Sequence, residues 1–264
     1  MMLGYFRKLA AGVEARLAED HDGQVARKTL ALVTARLGER LFSGQGAVAW
    51  CGVSAPFELL SAMGVTSCFV EFVGAVLANT GAAADFLGRA EQAGFSTDTC
   101  SYHRAVQGAL LAGMMPAPDF LVATTCPCSA GQATIEHLAR HFEKPLFVLH
   151  VPRRDDERDV AYLAGQLRAL PAFVAGATGR PLDPERLSHS IRLANRARDL
   201  MVEVFHLARV VPTPARRRDM INFAFIMMLL SGTEDAVRLG EAYRDEFARK
   251  VAGGVAGGPG ERAR

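Results

Sequence analysis

Phe120-Leu-Val-Ala-Thr124, Thr125-Cys-Pro-Cys-Ser-Ala-Gly131, Gln132 to Phe142 and Leu146-Phe-Val-Leu-His-Val151 follow one another in the chain. They read as strand, loop, helix and strand. Apolar runs this short and continuous are strands buried on both faces, and a helix between two of them is the crossover that a parallel pair requires. Upstream, Cys100 to Gly113 reads as a helix, joined to the first strand through Pro116 and Pro118. Ala47-Val-Ala-Trp-Cys51 and Val65 to Val70 repeat the strand signal. The helix between them has Pro56 and Glu58 in its first turn, apolar Leu59, Leu60 and Met63, and Gly64 as its stop. The expected fold is α/β, a parallel-sheet domain of Rossmann or flavodoxin-like type.

Outward from this centre the pattern becomes helical. Residues 1–43 read as helix, and the Ala- and Gly-rich residues 71–98 as a helix within loops. Beyond Pro152 no strand is expected. Asp156 to Leu170 is amphipathic and continues through Phe173 to Thr178, while Asp183 and Pro184 open a long helix with the stripe Leu187, Ile191, Ala194, Met201 and Val204. Arg218–Leu230 and Thr233–Val251 read as the last two helices. The expected organisation is a helical segment 1–44, an α/β domain 45–152, a helical region 153–251 and a flexible Gly-rich tail 252–264.

The 264 residues are 50% hydrophobic with a net charge of +2, which excludes intrinsic disorder and gives no pull toward nucleic acid or anionic membrane. The longest apolar run, Phe223 to Leu230, is too short for a bilayer, and the N-terminus develops no signal-peptide core. A cytoplasmic compartment is expected, without membrane or nucleic-acid partners. No phosphate-binding glycine loop follows a strand, which argues against nucleotide binding.

The five cysteines are Cys51, Cys68, Cys100, Cys126 and Cys128. An odd number in a cytoplasmic chain is not a disulfide framework, leaving packing, catalysis or metal. Cys51 and Cys68 lie in apolar strands and read as packing residues. Cys126 and Cys128 lie on the loop at the carboxyl end of a strand, the edge where parallel sheets bind ligands, and Cys100 precedes the helix leading into that strand. Three thiols without accompanying histidines suit an iron–sulfur cluster or, less well, zinc. Cys-Pro-Cys matches no ferredoxin or zinc-ribbon spacing, so simple packing stays open. Glu58 reads either as a solvated first-turn acid or as a catalytic base, and His103 and Arg104 either as facing the thiols or as an exposed helix face. His150, at a strand end, reads as a satisfied buried histidine.

Four stretches carry a family likeness by their order and spacing: Pro56-Phe-Glu-Leu-Leu-Ser-Ala-Met-Gly64, Cys100-Ser-Tyr-His-Arg104, Pro118-Asp-Phe-Leu-Val-Ala-Thr-Thr-Cys126 and Lys144-Pro-Leu-Phe-Val-Leu-His-Val-Pro152. The chain resembles the 2-hydroxyacyl-CoA dehydratase and benzoyl-CoA reductase family, also called the 2-hydroxyglutaryl-CoA dehydratase D-component family. The likeness continues through Thr178-Gly-Arg-Pro-Leu182, Asn195-Arg-Ala-Arg198 and Asn222 to Asp235, covering about residues 45–250.

The resemblance implies an oxygen-sensitive iron–sulfur subunit carrying a four-iron four-sulfur (4Fe–4S) cluster on three cysteines, paired with a homologous second subunit. It implies an ATP-dependent iron–sulfur activator that delivers low-potential single electrons, and an acyl-CoA thioester substrate. Carried over by position, Cys100 matches the first ligand and Cys128 the second, with Cys126 as its alternative; Ser129 stands where the family has Asp. Glu58 matches a proton-handling position by the substrate cavity, and His103 and Arg104 match positions flanking the first ligand. The sequence departs from the family in stopping where a second α/β domain, bearing the third cysteine, is expected. That departure keeps open a shortened paralogue without catalysis, serving as a structural, assembly or electron-transfer subunit.

Overall fold

The computed structural model describes residues 2–19 and 23–258. Its chain divides into two compact units. The first contains a four-stranded sheet made of β1 (Ala47–Cys51), β2 (Val65–Phe69), β3 (Phe120–Thr124) and β4 (Leu146–Leu149). All pairings are parallel, in the order β2-β1-β3-β4, which is the flavodoxin-like arrangement. β1 and β3 are buried along their whole length because each has a strand on both sides and helices on the sheet faces. β4, expected to be buried, is an edge strand, half-buried except at Leu149. It ends at Leu149 because the next backbone amides leave the ladder: His150 donates to Gln166 Oε1 at 2.8 Å and Val151 to Thr125 Oγ1 at 2.9 Å. His150 itself is exposed, which corrects the expectation of a buried histidine.

The helices of this unit are α4 (Glu71–Asn79), α5 (Ala83–Gln92), α6 (Ser101–Leu111), α7 (Ser129–Phe142) and α8 (Glu157–Thr178). Residues 71–98 thus hold two helices rather than one, parted at Gly81, whose φ of +79° ends the first. α5 and α6 approach so closely that a Cβ on Gly108 would lie 1.9 Å from the Phe86 carbonyl oxygen. α8 runs through Pro171 and packs Phe173 edge-on against Phe120 and at a tilt against Phe147. Counting apolar runs misses one property of α8: at 22 residues and a mean hydropathy of 1.2 over its apolar window, it is long and apolar enough to cross a bilayer. Only 11% of that window is buried, Leu170 and Val174 being the buried residues of the helix.

The second unit is helical, comprising α1 (Met2–Ala18), α2 (Val25–Phe42), α3 (Phe57–Ala62), α9 (Pro184–Leu207), α10 (Arg217–Leu229) and α11 (Glu234–Ala252). The N-terminal segment is two helices, not one, and Ala10, Val13, Leu32 and Ala35 form the seam between them. Glu246 on α11 is 5% exposed and accepts from the Ala26 amide at 2.8 Å, satisfying a free donor at the start of α2. Ser190 on α9 bonds the carbonyl oxygens of Glu58 and Gly232 at 2.8 and 2.9 Å. The start of the tail, expected to be flexible, is tied down: the Gly257 amide donates to the Thr213 carbonyl at 2.8 Å, and Arg216 Nε donates to the Gly257 carbonyl at 2.5 Å. Residues 259–264 lie outside the described residues.

Candidate functional site

The order β2-β1-β3-β4 puts the topological switch point, the place where open parallel sheets bind ligands, at the carboxyl ends of β1 and β3. At that point the Gly52 amide donates to the Val122 carbonyl at 2.9 Å, and a Cβ on Gly52 would come within 2.5 Å of Thr124 Oγ1. Only glycine lets the two strand ends run this close. The Thr124 hydroxyl donates to the Cys126 carbonyl at 2.8 Å and folds the loop back on β3, and the Cys126–Pro127 peptide bond is cis.

Cys128 is the N-cap of α7, and its sulfur accepts from the Gly131 amide at 3.4 Å. The sulfur thus sits at the positive end of the helix, beside a backbone donor. His103, 2% exposed on the first turn of α6, directs Nε2 to within 3.9 Å of the same sulfur. Burial lowers the imidazole pKa and so favours the neutral ring. Cys100 is the N-cap of α6 and is exposed, as is Cys126. The structure therefore joins Cys128 to His103 directly and sets Cys100 and Cys126 at the N-terminus of α6 and on the β3–α7 loop.

Arg104 is engaged elsewhere. Its guanidinium pairs with Glu91 and donates to the Thr99 carbonyl at 3.0 Å, bracing the loop that leads into Cys100. Glu58, in the first turn of α3, belongs to the helical unit and is half-exposed. Cys51 and Cys68 are fully buried, and burial raises both thiol pKa values well above the ordinary range, so they are packing groups.

One residue escaped sequence reading. Glu71 opens α4 directly after β2, with Oε2 buried and without a hydrogen-bond partner. Burial raises its carboxyl pKa. A Cβ on Gly131 would lie 3.4 Å from Glu71 Oε1, 3.5 Å from His103 Cε1 and 3.6 Å from Cys128 Sγ, so three side chains converge on one glycine. The available signal was a carboxylate at a helix start immediately beyond a buried strand; the Ala- and Gly-rich sequence that follows hid it.

Among the described residues, no three Cys, His, Asp or Glu side chains are gathered closely enough for a single metal ion. An iron–sulfur cluster makes a different demand, for thiolates around a larger body with donors aimed at sulfur. Two exposed thiols at helix N-termini, a third on the adjoining loop, the amide on Cys128 and His103 Nε2 beside its sulfur fit that donor chemistry.

Comparison with known proteins places the chain in a family. Residues 52–264 match the model of the family described as 2-hydroxyglutaryl-CoA dehydratase, D-component. The chain is 22% identical over 213 residues to the (R)-phenyllactyl-CoA dehydratase alpha subunit of Clostridium sporogenes, covering 77% of this chain and 52% of the relative. It is 27% identical over 177 residues to a subunit of the benzoyl-CoA reductase of Thauera aromatica, covering 61% and 41%. A third relative is the (R)-2-hydroxyisocaproyl-CoA dehydratase alpha subunit of Clostridioides difficile, 22% identical over 198 residues and covering 71% and 48%. The chain spans about half the length of the curated relatives it matches. With four-fifths of its residues inside the family match and a flavodoxin-like sheet beneath the cysteine loop, the chain belongs to the 2-hydroxyglutaryl-CoA dehydratase D-component family.

Proposed function

We propose that the chain is an iron–sulfur subunit of a 2-hydroxyacyl-CoA dehydratase or benzoyl-CoA reductase-type enzyme, working in the cytoplasm with a homologous second subunit. The observation that carries this reading is the position of Cys100, Cys126 and Cys128 around the carboxyl edge of β3, inside the family match. A 4Fe–4S cluster supplies one-electron chemistry at a potential that side chains alone cannot reach, fed here by an ATP-dependent activator and directed at an acyl-CoA thioester.

The chain's own residues hold and orient. The N-termini of α6 and α7 present the Cys100 and Cys128 sulfurs, and the Gly131 amide donates to the Cys128 sulfur. His103 offers Nε2 to that sulfur, and Arg104 braces Cys100 through the Thr99 carbonyl. Glu58, held through its backbone by Ser190, is the proposed proton-handling group toward substrate.

Anaerobic purification followed by iron and acid-labile sulfide analysis tests this reading. About four of each per chain, with a reduced-cluster paramagnetic signal, is the expected result, and Cys100→Ser lowers the iron. Folded protein without iron favours instead a structural or assembly subunit.

A further inference from the structure

One side of α8 is uncovered. Little of its apolar window is buried, and Val160 and Tyr162 are 58% and 54% exposed. By helical periodicity Glu157, Ala161, Ala164, Gly165, Arg168 and Ala172 fall along a single face, with Val160 and Tyr162 on its borders. All six are exposed except the half-buried Ala164. An apolar surface of this kind marks a contact with another molecule.

Glu157 and Arg168 are the two charges on this face. Asp156 and Asp159, at the start of the helix, are engaged with Arg154, but no ion pair or hydrogen bond within the chain engages Glu157 or Arg168 among the described residues. The two stand three helical turns apart, about 16 Å along the axis. An acid and a base so placed on one face are reciprocal. A two-fold axis beside Tyr162 and Leu163 turns the face end for end and brings Glu157 of each copy to Arg168 of the other. Two ion pairs then close around Ala161 and Gly165, whose small side chains let the helices approach. Arg158 lies on the opposite border of the face, away from the other copy's Arg168. A bilayer would leave both charges unpaired in hydrocarbon, whereas a second copy neutralises both.

We propose that α8 is the contact through which two copies of this chain pair, antiparallel, about a two-fold axis. The contact involves none of the cysteines and is independent of the cluster reading above.

Sedimentation equilibrium of the full chain over a wide concentration range tests it. A reversible monomer–dimer equilibrium that weakens as salt is raised is the expected result. Arg168→Glu places like charges across the axis twice and raises the dissociation constant by ~10-fold or more. Adding Glu157→Arg to that variant restores opposite-sign pairs, and dimerisation returns. A chain that stays monomeric throughout, a dimer indifferent to Arg168→Glu, or a double variant as weak as the single one overturns the proposal. So does a monomer that sediments with phosphatidylcholine vesicles and is released by Ala161→Arg, since that assigns the face to lipid. Should Arg168→Glu not fold, carbodiimide treatment of the conservative variant Arg168→Lys decides. The new amine must be joined to Glu157 in a covalent dimer, a link that three turns of helix forbid within one chain, and its absence from the peptide mass spectrum overturns the proposal.

Discussion

Cys128 and Cys51 belong to the same unit, yet their surroundings set them to opposite chemistry. Cys128 is exposed at a helix N-terminus with an amide on its sulfur, whereas Cys51 is fully buried and burial holds it as a thiol. Iodoacetamide under native conditions should label Cys100, Cys126 and Cys128 in iron-free protein and spare Cys51 and Cys68 until the chain is unfolded; mass spectrometry of the peptides checks this. Cys128→Ser should lower bound iron, whereas Cys51→Ala should lower thermal stability and leave iron unchanged. His137, edge-on to Phe95, has its pKa lowered first by burial and then by Arg140 and His141. The unfolded chain therefore binds its proton more readily. The resulting stability is present above the ordinary histidine value of 6.5 and is lost as pH falls through it toward the folded value. His137→Gln should flatten that loss in denaturant titrations. The cysteines could be sorted from the sequence because strand burial and loop position are both written in local pattern. Glu71 could not, because its burial depends on α6 and α7 folding back beside it.

At the scale of elements, β1 and β3 have the bounds their apolar runs suggested, since a run buried on both faces is the clearest strand signal. β4 is shorter than its run because side chains of Gln166 and Thr125, distant in sequence, take its last amides. The start of α8 was legible for a chemical reason: Asp156 Oδ1 accepts from the Asp159 amide at 2.9 Å. Asp156→Ala should cost about 1 kcal/mol by chemical denaturation. Close helix packing left no such mark. Gly108 looks like any helical glycine, yet an added methyl would strike the backbone of α5, which cannot turn aside as a side chain would. Gly108→Ala should therefore destabilise by about 1–3 kcal/mol despite its better helix propensity. Composition likewise reports chain freedom and not the hydrogen bonds that Gly257 makes to Thr213 and Arg216.

For the molecule as a whole, the short helix α3 joins two neighbouring strands of the sheet yet belongs to the helical unit. Its Phe57, Leu59, Leu60 and Ala62 are buried. Leu60→Ala should cost about 2–5 kcal/mol, read from the denaturant midpoint. A fragment of residues 45–183 should bind a hydrophobic dye through these side chains, and replacing residues 57–62 with a Gly-Ser linker should abolish that binding. The chain passes from one unit to the other at four places, so no single cut separates them. Recombination between genes, which shuffles contiguous pieces, cannot transplant the sheet without α3, which lies between β1 and β2 in the chain. Any contiguous piece that carries the whole sheet therefore also carries α3, with its apolar side chains laid bare.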